Sequence, residues 1–253
     1  MFRYTSEAIN FFVDTIGVTR RGNENVLSIK VLEHCIRTDL DKKAPRTLAV
    51  IDPIKVTLVN LKDDFLEEFE APIFPKNKEL GSKKISLNKT IFIERTDFKE
   101  NDDPDFFGLT PNQAAGLKYG GFITVKEVKK DSNGNVIELL CDYSAEVKKL
   151  KGRIHWISSK DAVRVEVRLY DYLWTVDDPM SLKEPLEELN PHSLVIKDQS
   201  LVNKNILSGL KHLDHFQFER LGYFVVDYDT DATTQKYVFN LTIDLGDEKN
   251  KKF

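Results

Sequence analysis

The sequence of 253 residues predicts a mainly β protein with an N-terminal helical subdomain followed by two antiparallel β-barrels. Apolar residues recur at helical spacing over residues 1–44. From Thr47 onward the apolar period changes to two, which is typical of half-buried strands. The strand-rich part extends over about 200 residues, more than one small barrel uses, so two barrels are expected.

Two amphipathic helices are predicted at the start of the chain. The first runs from Ser6 to Ile16, with Thr5 or Ser6 available to cap its start and Gly17 able to end it. The second follows the polar turn "RRGNEN" and presents one apolar face from Val31 to Leu40. It is expected to stop at the proline of "DKKAP", because proline disfavours helical backbone at the preceding residue.

Strand-like alternation fills most of the remaining chain. It is clearest in the runs "IKVTLVN", "TIFIERTDF", "GFITVKEVKKDSNGNVIELLCDYS", "RIHWIS", "VRVEVRLYDYLW", "SLVIK", "FQFERLGYFVVDYD" and "YVFNLTIDL". Asn133 and Gly134 predict a hairpin inside the third run, because both residues tolerate positive φ. Charge and proline mark three segments as connections between sheets: "NLKDDFLEEFEAPIFPKNKE", "FKENDDPDF" and "DDPMSLKEPLEELNPH".

Composition and charge bound the class of protein. The sequence is 41% hydrophobic and 31% charged, and no apolar run approaches the roughly 20 residues that span a membrane, so a globular protein with no membrane partner is expected. The N-terminus does not read as a signal peptide, and Cys35 and Cys141 are expected to be reduced, buried thiols. A cytoplasmic protein is therefore predicted. Because the net charge is −4, any nucleic acid would have to bind a local basic patch.

The sequence lacks the common patterns of catalytic and metal sites. The five histidines have no metal-ligand spacing with the cysteines, and the glycine-containing runs lack the spacing of phosphate-binding loops. His155 is interpreted as a polar strand residue with a satisfied ring. No metal site, cofactor site or catalytic residue is predicted in this segment.

A set of runs carries a resemblance to a known family. In chain order they are "APRTLAVIDPIKV", "IFIERTDF", "GRIHWIS", "VEVRLYDYLW", "NPHSLVIK", "FQFERLGYF" and "VFNLTIDL". Together they resemble the C-terminal half of the glutaminyl-tRNA synthetases, which are class I aminoacyl-tRNA synthetases. The resemblance implies a helical connector over 1–44, a proximal anticodon-binding β-barrel over 45–97 plus 163–253, and a distal one over 98–162.

The resemblance also implies a function. The two barrels would bind the anticodon loop of glutamine tRNAs for a parent enzyme that attaches glutamine to tRNA with ATP and Mg²⁺. The HIGH-like and KMSKS-like motifs of that family's active site are not present in the sequence. The chain is therefore expected to be an anticodon-binding portion that is inactive alone and works with the parent's catalytic domain in cis.

Three residues match the family's contacts to the middle anticodon base, a uridine: Arg46, Gln217 and Arg220. Uridine offers carbonyl acceptors and one N–H, which guanidinium donors and an amide can complement. The residues alone leave another interpretation open, in which Arg46 follows the helix end, Gln217 lies on a strand surface and Arg220 pairs with Glu219 or Asp214. A bulge near Gly222 or a strand end at Glu219 would free the Arg220 guanidinium.

Contacts to the other two anticodon bases depart from the family pattern. The arginine that the family commonly carries for the third base, a guanine, is replaced by Gly108, so another residue must substitute or the readout is weaker. Lys118 matches a basic position for the first base or its phosphate, near Gly116, where bacterial members carry arginine. Lys76 or Asn77 matches a loop that contacts the anticodon.

The sequence leaves two alternative functions open. The glutamyl-tRNA synthetases of the eukaryotic or archaeal type share these barrels and the equivalents of Gln217 and Arg220, so the middle uridine does not separate the two enzymes. The second alternative belongs to another class, a stand-alone barrel module that binds RNA or protein. Motifs of a catalytic domain in the parent chain would distinguish the second alternative from a synthetase.

Overall fold

The computed structural model describes residues 4–17, 27–146, 148–176 and 178–246, and the predicted turn "RRGNEN" lies outside them. Two helices come first, α1 (Ser6–Ile16) and α2 (Ile29–Lys43). Sixteen strands follow: β1 (Arg46–Thr47), β2 (Ala49–Val50), β3 (Pro53–Leu58), β4 (Leu66–Pro72), β5 (Ser82–Asn88), β6 (Thr90–Glu94), β7 (Ala115–Leu117), β8 (Phe122–Lys130), β9 (Val136–Ser144), β10 (Arg153–Ile154), β11 (Trp156–Ser158), β12 (Ala162–Tyr170), β13 (Leu194–Asn203), β14 (His215–Phe218), β15 (Gly222–Val226) and β16 (Val238–Asp244).

Both predicted helices are confirmed, and their ends have physical causes. The Thr5 hydroxyl accepts a hydrogen bond from Ala8 N at 3.1 Å, so it caps α1, and it donates to Asp39 Oδ2 of α2 at 2.5 Å. Gly17 ends α1 with a φ of 68°. The buried apolar face of the helix pair packs against Tyr223 and Ile243, so the helices lie on one side of β15 and β16.

The first seven-stranded sheet has the order β1-β14-β15-β16-β12-β13-β2. Its two edge strands, β1 and β2, are consecutive in the chain and separated only by Leu48, whose carbonyl accepts from Asn203 N of β13 at 3.2 Å. The sheet therefore comes almost full circle. Phe218, Phe224 and Phe239 fill its interior, with ring centroids 4.2 Å apart for the first two and 5.4 Å for Phe218 and Phe239.

The second seven-stranded sheet has the order β10-β7-β8-β9-β3-β6-β11 and closes in the same way. Its edge strands β10 and β11 are separated only by His155. Both sheets also share one order of pairings: parallel, antiparallel, antiparallel, parallel, antiparallel, antiparallel. The predicted pair of β-barrels is thus matched by two nearly closed sheets, each with parallel as well as antiparallel pairs.

The strand pairing divides the chain differently from the predicted boundaries, which grouped 45–97 with 163–253. Only β1 and β2 of the earlier segment join the first sheet, whereas β3 and β6 pair with each other, with β9 and with β11 in the second. The segment 53–94 therefore belongs with 115–158. Local alternation predicts that a strand exists but does not specify its partner, which explains the difference.

One predicted connection contains a further pair of strands. The segment "NLKDDFLEEFEAPIFPKNKE" includes β4, which pairs with β5 in a separate two-stranded antiparallel sheet. Charged side chains occupy most exposed positions of β4 and conceal its alternation. The Phe69 ring of β4 packs edge-on against Trp156, with ring centroids 6.4 Å apart, so the hairpin packs against the second sheet.

The predicted hairpin between β8 and β9 is confirmed, with a longer turn than a two-residue type. Lys130 and Val136 are in register, and Gly134 has a φ of 85°. The Asp131 carboxylate accepts from Asn133 N at 2.9 Å and Asn135 N at 2.8 Å, which holds the turn.

Two further expectations concern burial and membranes. Cys35 and Cys141 are buried free thiols, as predicted. Burial raises the pKa of Cys141 to about 12. In the described part of the chain, neither helix has the length and apolar content needed to cross a membrane.

Candidate nucleic-acid interface between the two sheets

Two of the predicted residues meet at the β1–β14 pair. The strands run parallel with Arg46 in register with Gln217, and Gln217 N donates to Pro45 O at 2.9 Å. Gln217 is mostly buried, yet its side-chain amide makes no hydrogen bond with any residue that the structure describes. The amide therefore keeps its capacity to donate and to accept.

Arg220 lies in the turn between β14 and β15 and reaches across to the second sheet. Its φ is 67°, an uncommon value for a residue with a side chain. Its guanidinium binds Asp97 with both Nη atoms, at 2.7 and 3.0 Å. Strand β14 ends at Phe218, one residue before Glu219, so Arg220 lies outside the strand. Its guanidinium is nevertheless paired, and the partner is Asp97 rather than Glu219 or Asp214.

The Arg220 guanidinium keeps part of its donor capacity. Its Nη1 also lies 3.1 Å from His155 Nδ1, so three N–H groups are used among the described residues. An arginine has five N–H donors, which leaves two. The side chain is 24% exposed, so a ligand can reach it from solvent.

His155 is a buried neutral base in this network, and it lies between β10 and β11 rather than in the predicted strand. Burial, the largest effect, lowers its pKa. Because arginine only donates, His155 Nδ1 accepts from Arg220 and the ring proton lies on Nε2. Nε2 is buried without a hydrogen bond, 3.6 Å from Glu94 Oε2, so the satisfied ring that the sequence predicts is found at one nitrogen only.

Glu219 places a buried carboxylate beside Arg220. It is 1% exposed, and its oxygens accept from the Tyr119 hydroxyl at 2.8 and 3.0 Å. Lys118 forms an ion pair with the same carboxylate. Burial, followed by the nearby Glu219 charge, raises the pKa of Tyr119, so Tyr119 remains a donor. Lys118, predicted to contact the first anticodon base or its phosphate, is thus drawn to the turn that carries Arg220.

Lys83 is a member of the site that the sequence did not predict. It lies on β5, its ammonium donates to the Arg46 carbonyl, and burial lowers its pKa to about 8 against the opposing effect of Glu219. The sequence offered only a lysine pair in an unassigned segment, because β5 itself was not predicted.

Lys76 joins the site through Asp41 of α2, whereas Asn77 does not. The Asp41 carboxylate binds Arg46 Nη2 at 3.4 Å and Lys76 Nζ at 2.5 Å, and the bond from Lys76 is the main reason its pKa is lowered. The Asn77 side chain instead accepts from Glu79 N within its own turn, at 3.2 Å. Of the two alternatives for this loop, the structure brings Lys76 towards the others.

These residues form one group at the junction of the two sheets, which we call the junction cluster: Arg46, Lys76, Lys83, Lys118 and Arg220 with Asp41, Asp97 and Glu219. Five cationic side chains face three carboxylates, whereas the chain as a whole carries a net charge of −4. The cluster is therefore a local excess of positive charge beside the Gln217 amide, and it suits a polyanion with polar edges.

Two family models match the chain, at residues 44–144 and 153–227, and both describe the anticodon-binding domain of class I tRNA synthetases (E and Q). The chain belongs to this anticodon-binding family. The first match contains β1 to β9 and the second contains β10 to β15, so every cationic member of the junction cluster lies in a matched region.

Curated relatives of this anticodon-binding chain include several glutamine–tRNA ligases. One named as probable, from Dictyostelium discoideum, is 45% identical over 98% of the chain and 32% of its own length. Those of Cupriavidus metallidurans and Buchnera aphidicola (subsp. Schizaphis graminum) are 39% and 37% identical over 98% of the chain and 44% and 46% of their own lengths. The chain thus spans 32% to 46% of the length of these relatives.

The two glycines that replace family arginines lie in tight places. A Cβ on Gly108 would be 2.4 Å from Asp97 O and 2.5 Å from the Phe106 ring, so no side chain fits there without rearrangement. A Cβ on Gly116 would be 3.0 Å from Arg153 Cγ. Arg153 therefore occupies the space beside Gly116.

The sequence did not predict the partners of Arg220. Asp97 and His155 lie 123 and 65 positions away from Arg220, and no local pattern marks them as its partners. Within the described ranges there is no group of three or more His, Cys, Asp or Glu residues arranged to hold a metal ion.

Proposed function

We propose that the junction cluster recognises the anticodon loop of glutamine tRNAs. The observation that supports this most strongly is the convergence of Arg46, Gln217 and Arg220 at one positively charged junction, although Arg46 and Arg220 lie 174 positions apart in the chain. Anticodon bases are unpaired, so their Watson–Crick edges are open to side chains.

The middle uridine fits the free polar groups of the cluster. The Gln217 amide offers one acceptor for the uridine N3–H and two donors, and Arg220 keeps two N–H groups for a carbonyl oxygen. Asp97 and His155 hold the guanidinium in place before the RNA arrives, which lowers the entropic cost of binding. Lys76 and Lys118 would lie near the phosphates.

We further propose that the chain works as the anticodon-binding part of a glutamine–tRNA ligase. ATP and Mg²⁺ would then be bound by a catalytic domain of the same polypeptide, and the chain alone would attach no glutamine to tRNA. In this proposal the first sheet, which packs on the helices, is the proximal barrel and the second sheet the distal one. A cytoplasmic location is expected for such an enzyme.

A glutamyl-tRNA synthetase is the alternative within the family, and a stand-alone RNA- or protein-binding module is the alternative outside it. Glutamine and glutamate anticodons share the middle uridine and differ at the third base, a guanine in CUG and a cytosine in CUC. The names of the relatives, which are glutamine–tRNA ligases, favour the glutamine–tRNA ligase over both alternatives.

The test measures binding of the 253-residue chain to RNA hairpins with CUG and CUC anticodon loops, and to one with an unrelated loop. We expect the CUG hairpin to bind most tightly, and Arg46→Ala, Gln217→Ala and Arg220→Ala each to weaken it. Tighter binding of the CUC hairpin would favour the glutamyl alternative. Equal binding of all hairpins by wild type and variants would overturn the proposal.

A further inference from the structure

An exposed aromatic side chain lies beside the basic segment that leads into β10, an edge strand of the second sheet. Phe107 is 63% exposed, the highest value among the aromatic side chains that the structure describes. Lys151 Nζ lies 5.4 Å from the centroid of its ring, and Lys148, Lys149 and Arg153 are also exposed. We call Phe107, Lys151 and Arg153 the Phe107 surface.

The backbone under the Phe107 ring is tightly fixed. A Cβ on Gly152 would lie 2.1 Å from Phe107 O, and one on Gly108 would lie 2.4 Å from Asp97 O. The segment that carries the ring is therefore packed directly on the backbone of two neighbouring segments. A ring on a fixed backbone loses little conformational entropy when a flat ligand stacks on it.

Arg153 adds an unpaired guanidinium to this surface. It is in register with Gly116 across the parallel β7–β10 pair, and the missing side chain of Gly116 leaves room for its stem. Among the described residues its guanidinium has no hydrogen-bond or ion-pair partner. An exposed arginine with all five donors free can bind two adjacent acceptors at once.

The Phe107 surface continues into the junction cluster. Lys118 follows β7 directly, and its N–H donates to Ile154 O, next to Arg153, at 2.9 Å. Gly116 N donates to Gly152 O at 3.0 Å in the same ladder. An RNA loop bound at the cluster therefore has a basic, aromatic surface as its neighbour on the second sheet.

The neighbours of the ring favour RNA over a protein partner. A protein-binding surface has an apolar centre with few charged residues, whereas the Phe107 ring has the Lys151 ammonium 5.4 Å from its centroid and the exposed Arg153 lies two residues further along the chain. Basic residues interleaved with an aromatic ring are the usual chemistry for unpaired bases, which stack on the ring while their phosphates meet the cations.

We propose that the Phe107 surface binds one unpaired guanine that flanks the central anticodon base. Phe107 stacks on the base, Arg153 donates to its O6 and N7, and Lys151 pairs with a phosphate. Guanine is assigned because it is the base with two adjacent acceptors that match a guanidinium fork. This inference rests on the proposed function and assigns the base contact for which Gly108 leaves no side chain.

The test uses the 253-residue chain and the CUG hairpin, with guanine or 7-deazaguanine at the third anticodon position. Removing N7 should weaken binding of wild type several-fold and leave binding of Arg153→Gln unchanged, because that variant has already lost the contact. Phe107→Leu should weaken binding of the guanine hairpin roughly tenfold, and Phe107→Tyr should retain it, because a tyrosine ring also stacks. Phe11→Leu and Arg164→Gln, an exposed aromatic on α1 and an exposed arginine on β12, are the matched controls and should change neither value.

All variants should keep the wild-type urea midpoint, because the altered side chains are exposed. An equal loss on 7-deaza substitution in wild type and Arg153→Gln, or unchanged binding by Phe107→Leu, would overturn the inference. If the central uridine still matters in that case, the proposed function survives and only this inference fails. If the central uridine has no effect, both fail.

Discussion

At the scale of single residues, Arg220 links the two sheets. Its left-handed backbone directs the side chain away from its own sheet and onto Asp97, whose carboxylate is almost fully buried. A buried carboxylate without its partner is costly, so the ion pair is a structural requirement. The same side chain has donors left for RNA, so one residue has both a structural and a proposed recognition role.

We predict that Arg220→Ala lowers the free energy of unfolding by about 2 kcal/mol, below the full value for a buried pair because the arginine is partly exposed. The reason is the loss of the two charge-assisted hydrogen bonds that the buried Asp97 carboxylate accepts from Arg220. The double variant Arg220→Ala with Asp97→Asn should recover part of the loss in urea denaturation. An unchanged midpoint for the single variant would contradict the structural role.

Lys83 predicts a pH dependence of stability. Its folded pKa of about 8 lies below the ordinary 10.5, so between these values the unfolded chain binds more protons than the folded one. Its contribution to the free energy of unfolding therefore rises with pH through this window. Relative to Lys83→Met, wild type should gain about 1–2 kcal/mol between about pH 7 and about pH 9.5.

Urea titrations of the two proteins across this range measure the difference, in which other titrations cancel. Lys84→Met, which alters the neighbouring exposed lysine paired with Glu68, is the control and should show no such trend. A difference between wild type and Lys83→Met that is constant or falls with rising pH would contradict the burial of this ammonium.

At the scale of elements, helices could be predicted and strand partners could not. The bounds of α1 follow from its apolar period and from Thr5 and Gly17, which act within four residues. Two-residue strands such as β1 and β10 have no period to detect, yet they close the two sheets. The candidate residues Arg46, Gln217 and Arg220 were found through the family resemblance, whereas Asp97 and Lys83 depend on contacts between distant segments.

The cap of α1 also ties the two helices together. Because the Thr5 hydroxyl both accepts from Ala8 N and donates to Asp39, Thr5→Ala should lower the free energy of unfolding by about 1 kcal/mol. Thr5→Ser keeps the hydroxyl and should retain most of the stability. Denaturant unfolding followed by circular dichroism measures both, and equal destabilisation by the two variants would show that the methyl group matters instead.

At the scale of the whole molecule, two sheets of the same strand order meet at one polar junction. The edge strands of the first sheet, β1 and β2, come before its other strands in the chain, whereas the edge strands of the second sheet, β10 and β11, come after its other strands. Arg220, in the β14–β15 turn of the first sheet, donates to His155, which separates the edge strands β10 and β11 of the second sheet. The junction therefore depends on both sheets, and a binding site there requires both of them.

The local charge predicts a salt dependence of RNA binding. Each phosphate contact with a single-stranded loop changes the slope of log affinity against log salt by about 0.7. Lys76, which is 77% exposed, should account for one such contact. Binding of Lys76→Ala across a salt series should therefore give a slope smaller by about 0.7, while Lys84→Ala, whose lysine lies outside the cluster, should keep the wild-type slope.

The central claim is that the junction cluster reads the middle uridine, and the discrimination between uridine and cytidine at that position tests it most directly. Cytidine presents an amino group and an unprotonated ring nitrogen where uridine presents a carbonyl and an N–H. We predict that wild type prefers the uridine hairpin by about 1–3 kcal/mol, and that Gln217→Ala loses most of this preference. Equal affinity of wild type for the two hairpins, or a preference that Gln217→Ala retains in full, would contradict the account.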